Sequence, residues 1–339
     1  MEFAFTDDQK MLRDTVRDVL ERECPPEVVR AVWEGRGARS EEVWSTLADT
    51  GLIGMTASEA AGGMSMTELE WVLPHEEIGY AAVPGPYVDT VAVGIPILDT
   101  LGTDAHKSRW LGPAVSGKAR IVVAFEGQTR VPFSEGADVL IAQRGGESFC
   151  VPWSDVSTRS EPSVDRARQL VSIEFDPSDA YRMRSDKVSW STAKDRATLA
   201  TAAVLAGLSR RMLDMTVQYA KDREQFGKPI GAQQAVKHRL ADALIQQEFA
   251  RPMVYKAAWS MATAQTSASI DVSVAKIYAS DAAKFVARQA LQVHGAIGYT
   301  IECDLHMWMK RTWALAAALG DSAFHRGRVA EHILGTPET

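Results

Sequence analysis

The sequence predicts a mainly α-helical protein with a small β-domain in its middle, on three observations. Helical periodicity fills the first third of the chain. Between about 118 and 190 it gives way to short β-branched or apolar runs separated by Gly, Pro, Ser and Asp. From Ser191 the pattern is helical again, in long amphipathic stretches with short connections, which implies a four-helix bundle. The expected division is an N-terminal helical domain over 1–117, a β-domain over 118–190 and a C-terminal helical bundle over 191–339.

The elements follow in order. Thr6 to Gln9 reads as a capping box, after which Leu12, Val16, Val19 and Leu20 form one apolar face. A second helix is predicted from about Ser40, through Val43, Trp44 and Leu47, to a stop at Gly51. Ser58 to Gly63 is a loop, and another helix covers Thr67 to Tyr80. Strand-like runs occupy Ile121–Phe125, Val139–Ala142, Phe149–Val151 and Leu170–Phe175, with Gly145-Gly146 as a hairpin turn. Ala197 through Tyr219 opens the C-terminal helices. Val236, Leu240, Leu244 and Val254 mark the next, with a kink expected at Pro252. Val274, Ile277, Tyr278 and Phe285 mark a third, and Trp313 to Ile333 the last.

Composition narrows the function classes. Charged residues are 24% and apolar ones 46% of 339, an ordinary soluble mix without a disordered signature. The net charge of −7, with scattered basic residues, gives nucleic-acid binding no electrostatic support. Cys24, Cys150 and Cys303 lie far apart, without metal-ligand or disulfide spacing, which fits a reducing cytoplasm. The first residues lack the pattern of a signal peptide, and no apolar run approaches the ~20 residues of a membrane span. The expectation is a cytoplasmic protein without membrane or nucleic-acid partners.

One stretch stands out chemically. Tyr219 to Gly231 breaks two long helical patterns: Gly227, Pro229 and Gly231 end one helix and let another start near Gln233. At the break stand Arg223, Gln225 and Phe226. A guanidinium, an amide and a ring can hold a phosphate and pack against a flat heterocycle. They can equally make a helix corner with a solvated Arg and a core Phe, and local chemistry alone favours that.

Arg223-x-Gln225-Phe226-Gly227-x-Pro229-Ile230 resembles the signature of the acyl-CoA dehydrogenase family of flavoenzymes. Gln292-Val-His-Gly295-Ala-Ile-Gly298-Tyr299-Thr-Ile-Glu302 is similar to that family's Gln-x-x-Gly-x-x-Gly-Tyr-x-x-Glu segment. Two motifs in the family's order make the assignment strong. The resemblance implies the family's fold and FAD, with the first motif reaching the diphosphate and adenine side of a neighbouring subunit's cofactor. The implied cofactor-binding residues are Arg223, Gln225, Phe226, Gln234, Gln292, His294, Gly295 and Ala296. Leu240 to Asp242, Ala275-Lys276 and Arg326 also fall where the family has them.

The family removes a proton alpha to a thioester carbonyl while a beta hydride passes to the flavin, so it needs a carboxylate base. Most members hold a Glu where this chain has Leu319, and a minority hold one at or near Ala197. Neither place carries a carboxylate; Asp321 is the weak candidate, two residues displaced, and Asp195 a weaker one. The β-domain departs too: Ile121 to Gly127 lacks the family's Ser/Thr pattern, and the domain looks shortened. The resemblance therefore extends to the shorter, base-lacking subunit of actinobacterial heterotetrameric dehydrogenases acting on steroid side-chain CoA thioesters. It implies no catalytic residue in this chain, an acyl-CoA substrate and a Glu-bearing homologous partner. Two other readings stay open: a self-sufficient homo-oligomeric flavoenzyme using Asp321, and a flavin-free structural or binding relative.

Overall fold

The computed structural model describes residues 4–36, 38–134 and 136–335. The N-terminal third is helical: α1 (Asp7–Glu23), α2 (Pro26–Trp33), α3 (Ala38–Asp49), α4 (Glu68–Tyr80), α5 (Ile95–Leu101), α6 (Asp104–His106) and α7 (Gly112–Val115). The capping box forms: Thr6 N–H donates to Gln9 Oε1 at 3.0 Å and Gln9 N–H to Thr6 Oγ1 at 3.2 Å. Helix α2 was absent from the sequence reading; Pro26 at its first position and a buried face of Val28, Val29, Val32 and Trp33 account for it. The stretch Val88–Gly94 ahead of α5 is a wide π-helical turn.

Six short strands follow: β1 (Ile121–Ala124), β2 (Arg130–Val131), β3 (Val139–Arg144), β4 (Glu147–Pro152), β5 (Ser157–Ser160) and β6 (Val171–Glu174). They form two three-stranded sheets, ordered β1-β3-β4 and β2-β6-β5. β1 runs parallel to β3, and β3 turns back into β4 across Gly145-Gly146, pairing Arg144 with Glu147. Val122, Leu140, Phe149, Val151 and Ile173 form the core between them. β2 and β5 escaped the sequence reading because Arg130-Val131 is too short to show a period and Ser157–Ser160 is exposed throughout.

The C-terminal part holds α8 (Lys187–Asp222), a hairpin of β7 (Glu224–Gln225) and β8 (Lys228–Pro229), α9 (Gln234–Ala262), α10 (Ala268–His294), α11 (Leu305–Ala317) and α12 (Ser322–Leu334). Pro252, where a kink is expected, lies inside α9, which is helical on both sides of it. The single last helix expected over Trp313–Ile333 is instead two, because Leu319 and Gly320 take positive φ and Asp321 caps a new helix. α9 and α10 pack antiparallel, as contacts Arg239–Gln289 and Lys256–Asp271 require.

Chain contacts gather the molecule into two compact units, one of Met1–Arg17, Val72–Ala82 and Thr198–Thr339, the other of Asp18–Trp71 and Val83–Ala197. In the first, α4 and α8 cross at two glycines. A Cβ on Gly79 would lie 2.1 Å from Val204 O, and one on Gly207 1.8 Å from Glu76 O, so only glycine permits the crossing. Buried beside it, Glu76 accepts from Arg210, Arg251 and Tyr255, and Glu77 from Arg17 and Arg210. In the second unit, Arg120 pairs bidentately with Glu41 at 2.6 Å, and Trp44 Nε1 donates to Gly117 O.

Candidate functional site

The candidate site lies within the first unit, where α8 ends. Past Asp222 the chain makes a hairpin over 224–229, Gln225 pairing with Lys228, with Phe226 at φ 55° and Gly227 at φ 75°. Positive φ at both central residues is the I′ turn, whose first position favours Asn or Gly. A phenylalanine there costs about 1–2 kcal/mol, and its ring is 94% exposed. Folding of this chain gains nothing from that arrangement. Arg223 is exposed too, and no side-chain partner among the described residues engages its guanidinium. The core phenylalanine of a plain helix corner is thus not what the structure contains.

The second motif meets the first through one stacked pair. Tyr219, one turn before Arg223, lies flat on His294 at the end of α10, with ring centroids 4.4 Å apart and planes 16° from parallel. Tyr219 OH donates to His294 O at 3.4 Å. The imidazole is 6% exposed, and its Nδ1 bonds Ala290 O at 2.8 Å. Burial lowers its pKa, so it is neutral at neutral pH. Nδ1 therefore carries the proton and Nε2 is an acceptor, with no partner among the described residues. Gly295 follows at φ 65° and ψ −140°, a glycine conformation that turns the chain into the 3₁₀ segment Gly295–Tyr299. Gln234 and Gln292, Gln225 and Ala296 are all exposed.

Both motifs thus converge with a guanidinium and an imidazole nitrogen that have no side-chain partner among the described residues, beside a bare aromatic ring. That donor and acceptor set fits the adenine and diphosphate half of a flavin dinucleotide. Tyr219 was missed as a site residue; an aromatic four residues ahead of Arg223 on a helix was the available signal.

The places for a base look different. Ala197 is 2% exposed. Leu319 stands at φ 58°, in a loop pinned by fully buried Lys276, whose Nζ donates to Leu315 O, Ala316 O and Gly320 O, each at 3.1 Å. Burial pulls the Lys276 pKa down to about 8. Sequence reasoning had noted Lys276 only by position; a lysine on the apolar face of α10 was the clue to its clamp role. Asp321 is the α12 N-cap, accepting from Phe324 N–H at 2.9 Å, and that bond holds its pKa below the usual carboxylate value. In the second unit, the turn after β1 is tied to the β3–β4 turn, with Glu126 accepting from Gly145 and Gly146 N–H at 3.0 and 2.9 Å.

Residues 6–118 match the acyl-CoA dehydrogenase N-terminal domain and residues 190–334 its C-terminal domain. The chain belongs to the acyl-CoA dehydrogenase family, whose members are FAD-dependent oxidoreductases. Among its relatives, acyl-CoA dehydrogenase IpdE2 of Mycolicibacterium smegmatis is 30% identical over 93% of this chain and 95% of its own length. A chain in the crystal structure of the ChsE4-ChsE5 complex from Mycobacterium tuberculosis matches with a TM-score of 0.90 at 27% identity, over the whole of both chains. The Tcur3481-Tcur3483 steroid ACAD shares the fold, with a TM-score of 0.84 at 24% identity over 97% of this chain and 98% of that one.

Proposed function

We propose that this chain is the base-lacking subunit of a heteromeric acyl-CoA dehydrogenase. It supplies the adenine and diphosphate side of an FAD site through Arg223, Gln225, Phe226, Gln234, Gln292, His294, Gly295 and Ala296. A homologous partner supplies the catalytic glutamate. FAD held by these residues would supply the hydride acceptor for alpha,beta-dehydrogenation of a CoA thioester. The observation that carries this reading is a corner whose cation and acceptor have no side-chain partner among the described residues and whose ring is almost wholly exposed. Leu319 and Ala197 at the family's two base positions support the division of labour. Likeness to a chain of the ChsE4-ChsE5 complex supports a heteromeric assembly, a heterotetramer in our reading, and the substrate class we infer, a steroid side-chain CoA thioester, rests on the resemblance to the base-lacking subunits alone. The domain division we propose remains 1–117, 118–190 and 191–339, supported by family matches ending at 118 and resuming at 190.

A self-sufficient enzyme using Asp321 has less support, since that carboxylate is committed to a helix cap and its proton affinity is lowered.

The test is flavin occupancy of the complex co-purified with its Glu-bearing partner. A guanidinium on a diphosphate oxygen contributes a few kcal/mol, so Arg223→Ala should weaken FAD binding about a hundredfold. Unchanged occupancy would reduce the hairpin to a helix corner.

A further inference from the structure

The second unit carries a cleft that the cofactor reading leaves unused. It opens in the β-domain, between the end of β5 at Ser160 and the start of β6 at Val171, and measures about 450 Å³. That is the size of a small-molecule site, about 300–1,000 Å³. Its walls are fixed before any ligand arrives. Glu161 N–H donates to Leu170 O at 2.9 Å, Ser134 Oγ donates to Gln169 O at 2.9 Å, and Phe133 N–H donates to Arg168 O. Those bonds hold Phe133 at φ 56° and Gln169 at φ 44°, a left-handed conformation that neither side chain favours.

The lining sorts into an apolar part and a polar one. Pro162, Leu170 and Val171 offer carbon surface. Ser160 and Ser163 offer hydroxyls, Gln169 an amide and Arg166 a guanidinium, and no side-chain partner among the described residues engages any of these four. Glu161 also lines the cleft, but its carboxylate is balanced by Arg159 at 3.0 Å and Arg130 at 4.0 Å. Asp165, beside Arg166, is buried, engaged elsewhere and outside the lining. The charge left over is therefore positive. We propose that this cleft binds an amphipathic organic anion, a carboxylate or phosphate monoester on an apolar body, with its head on Arg166 and its body on Leu170 and Val171. A guanidinium meets either head group through two parallel N–H bonds. Ser163 and Gln169 supply neutral donors for the remaining oxygens. An inorganic ion would leave the apolar part unused, and a neutral compound would leave Arg166 unmet. The inference is independent of the FAD reading, since Arg223 and His294 belong to the other unit.

Isothermal titration calorimetry of the full chain in its complex tests this with three probes: 4-phenylbutyrate, phenyl phosphate and the neutral 4-phenylbutyramide. A charge-assisted bond at a partly exposed arginine corresponds to roughly a tenfold preference. At least one anion should therefore bind about tenfold tighter than the amide, and the tighter of the two identifies the head group. Arg166→Gln, at an exposed position, should bring that anion down to the level of the amide. Ser163→Asp, which sets a carboxylate against the head group, should do the same without touching the arginine. Arg223→Ala, in the other unit, should leave the preference unchanged. Three results would each overturn the assignment: equal binding of anions and amide, a preference that survives both Arg166→Gln and Ser163→Asp, or one that disappears in Arg223→Ala. So would the absence of binding by either anion at millimolar concentration. None of these results bears on flavin occupancy, so the FAD reading stands or falls separately.

Discussion

Single residues show where this chain accepts instability. Asp89 sits on the π-helical turn Val88–Gly94, where its Oδ2 accepts Val123 N–H at 3.2 Å, while Thr90 Oγ1 takes Ile121 N–H at 3.0 Å and donates to Ile121 O at 2.9 Å. The pair thus satisfies the outer edge of β1, an end strand of its sheet. Burial raises the Asp89 pKa from 3.8 to about 7. A raised carboxylate favours the native state while both states stay protonated, below pH 3.8, and that advantage is lost as pH rises through 7. Asp89→Asn keeps an acceptor for Val123 and removes the ionisation. It should therefore be more stable than wild type at pH 8 by about 1–2 kcal/mol, after discounting for relaxation of the surroundings around the ionised carboxylate. That difference should vanish near pH 4; thermal melts at both values check it, and a constant offset would mean the effect is packing rather than charge. No sequence signal marked Asp89, because its proton affinity depends on what the fold stacks around it. Lys276 was hidden for the same reason, since its partners are carbonyls of residues 39 to 44 positions away.

At the scale of elements, the hairpin 224–229 separates stability from function. Phe226→Gly removes the left-handed strain and should leave the chain as stable or more so, by up to about 1 kcal/mol. The same change should lower flavin occupancy of the complex. Stability from urea denaturation and flavin-to-protein absorbance measure the two sides, and a variant that loses stability would show the ring packs within its own chain. The α4–α8 crossing behaves oppositely. Gly207→Ala places a methyl where 1.8 Å separates it from Glu76 O, and should cost about 3 kcal/mol by overpacking, seen as a lower denaturation midpoint with unchanged slope. Long periodic elements were legible in the sequence: α1 with its capping box, α3 to its stop at Gly51, α4, α8, α9 and α10. The strands with apolar runs were legible too, down to the Gly145-Gly146 turn. What escaped were the short helices α2 and α5 to α7, and elements set by tertiary contact: two-residue β2, exposed β5, and the α11–α12 break, where an apolar pattern runs on through a loop that Lys276 clamps. The binding corner was half legible, since its motifs could be quoted but the Tyr219–His294 stack that joins them spans 75 positions.

At the scale of the whole molecule, the last prediction concerns which assembly turns over substrate. The chain keeps the architecture of the acyl-CoA dehydrogenase family, and on the motif resemblance Leu319 and Ala197 stand at or near the two positions where that family holds its base. Proton removal alpha to a thioester is slow without a positioned carboxylate, and a general base alone contributes about 10²–10⁴-fold. The purified chain by itself should therefore not bleach flavin on addition of acyl-CoA, whereas the complex with its Glu-bearing partner should. Leu319→Glu should not rescue the isolated chain. Its backbone site is strained at φ 58° and held by Lys276, so the loop geometry survives, but Glu126 after β1 is engaged by the Gly145-Gly146 turn, and Ile121 to Gly127 lack the hydroxyl pattern that the family resemblance would require. Asp321→Asn separates the remaining possibilities. It keeps a capping side chain for α12, at a cost below about 1 kcal/mol, while abolishing any base function. Rapid bleaching by the isolated chain that disappears in Asp321→Asn would establish a self-sufficient enzyme. Bleaching by the complex that is indifferent to Asp321→Asn but lost when the partner's glutamate is replaced would place the chemistry in the partner and leave this chain the role of completing its cofactor site.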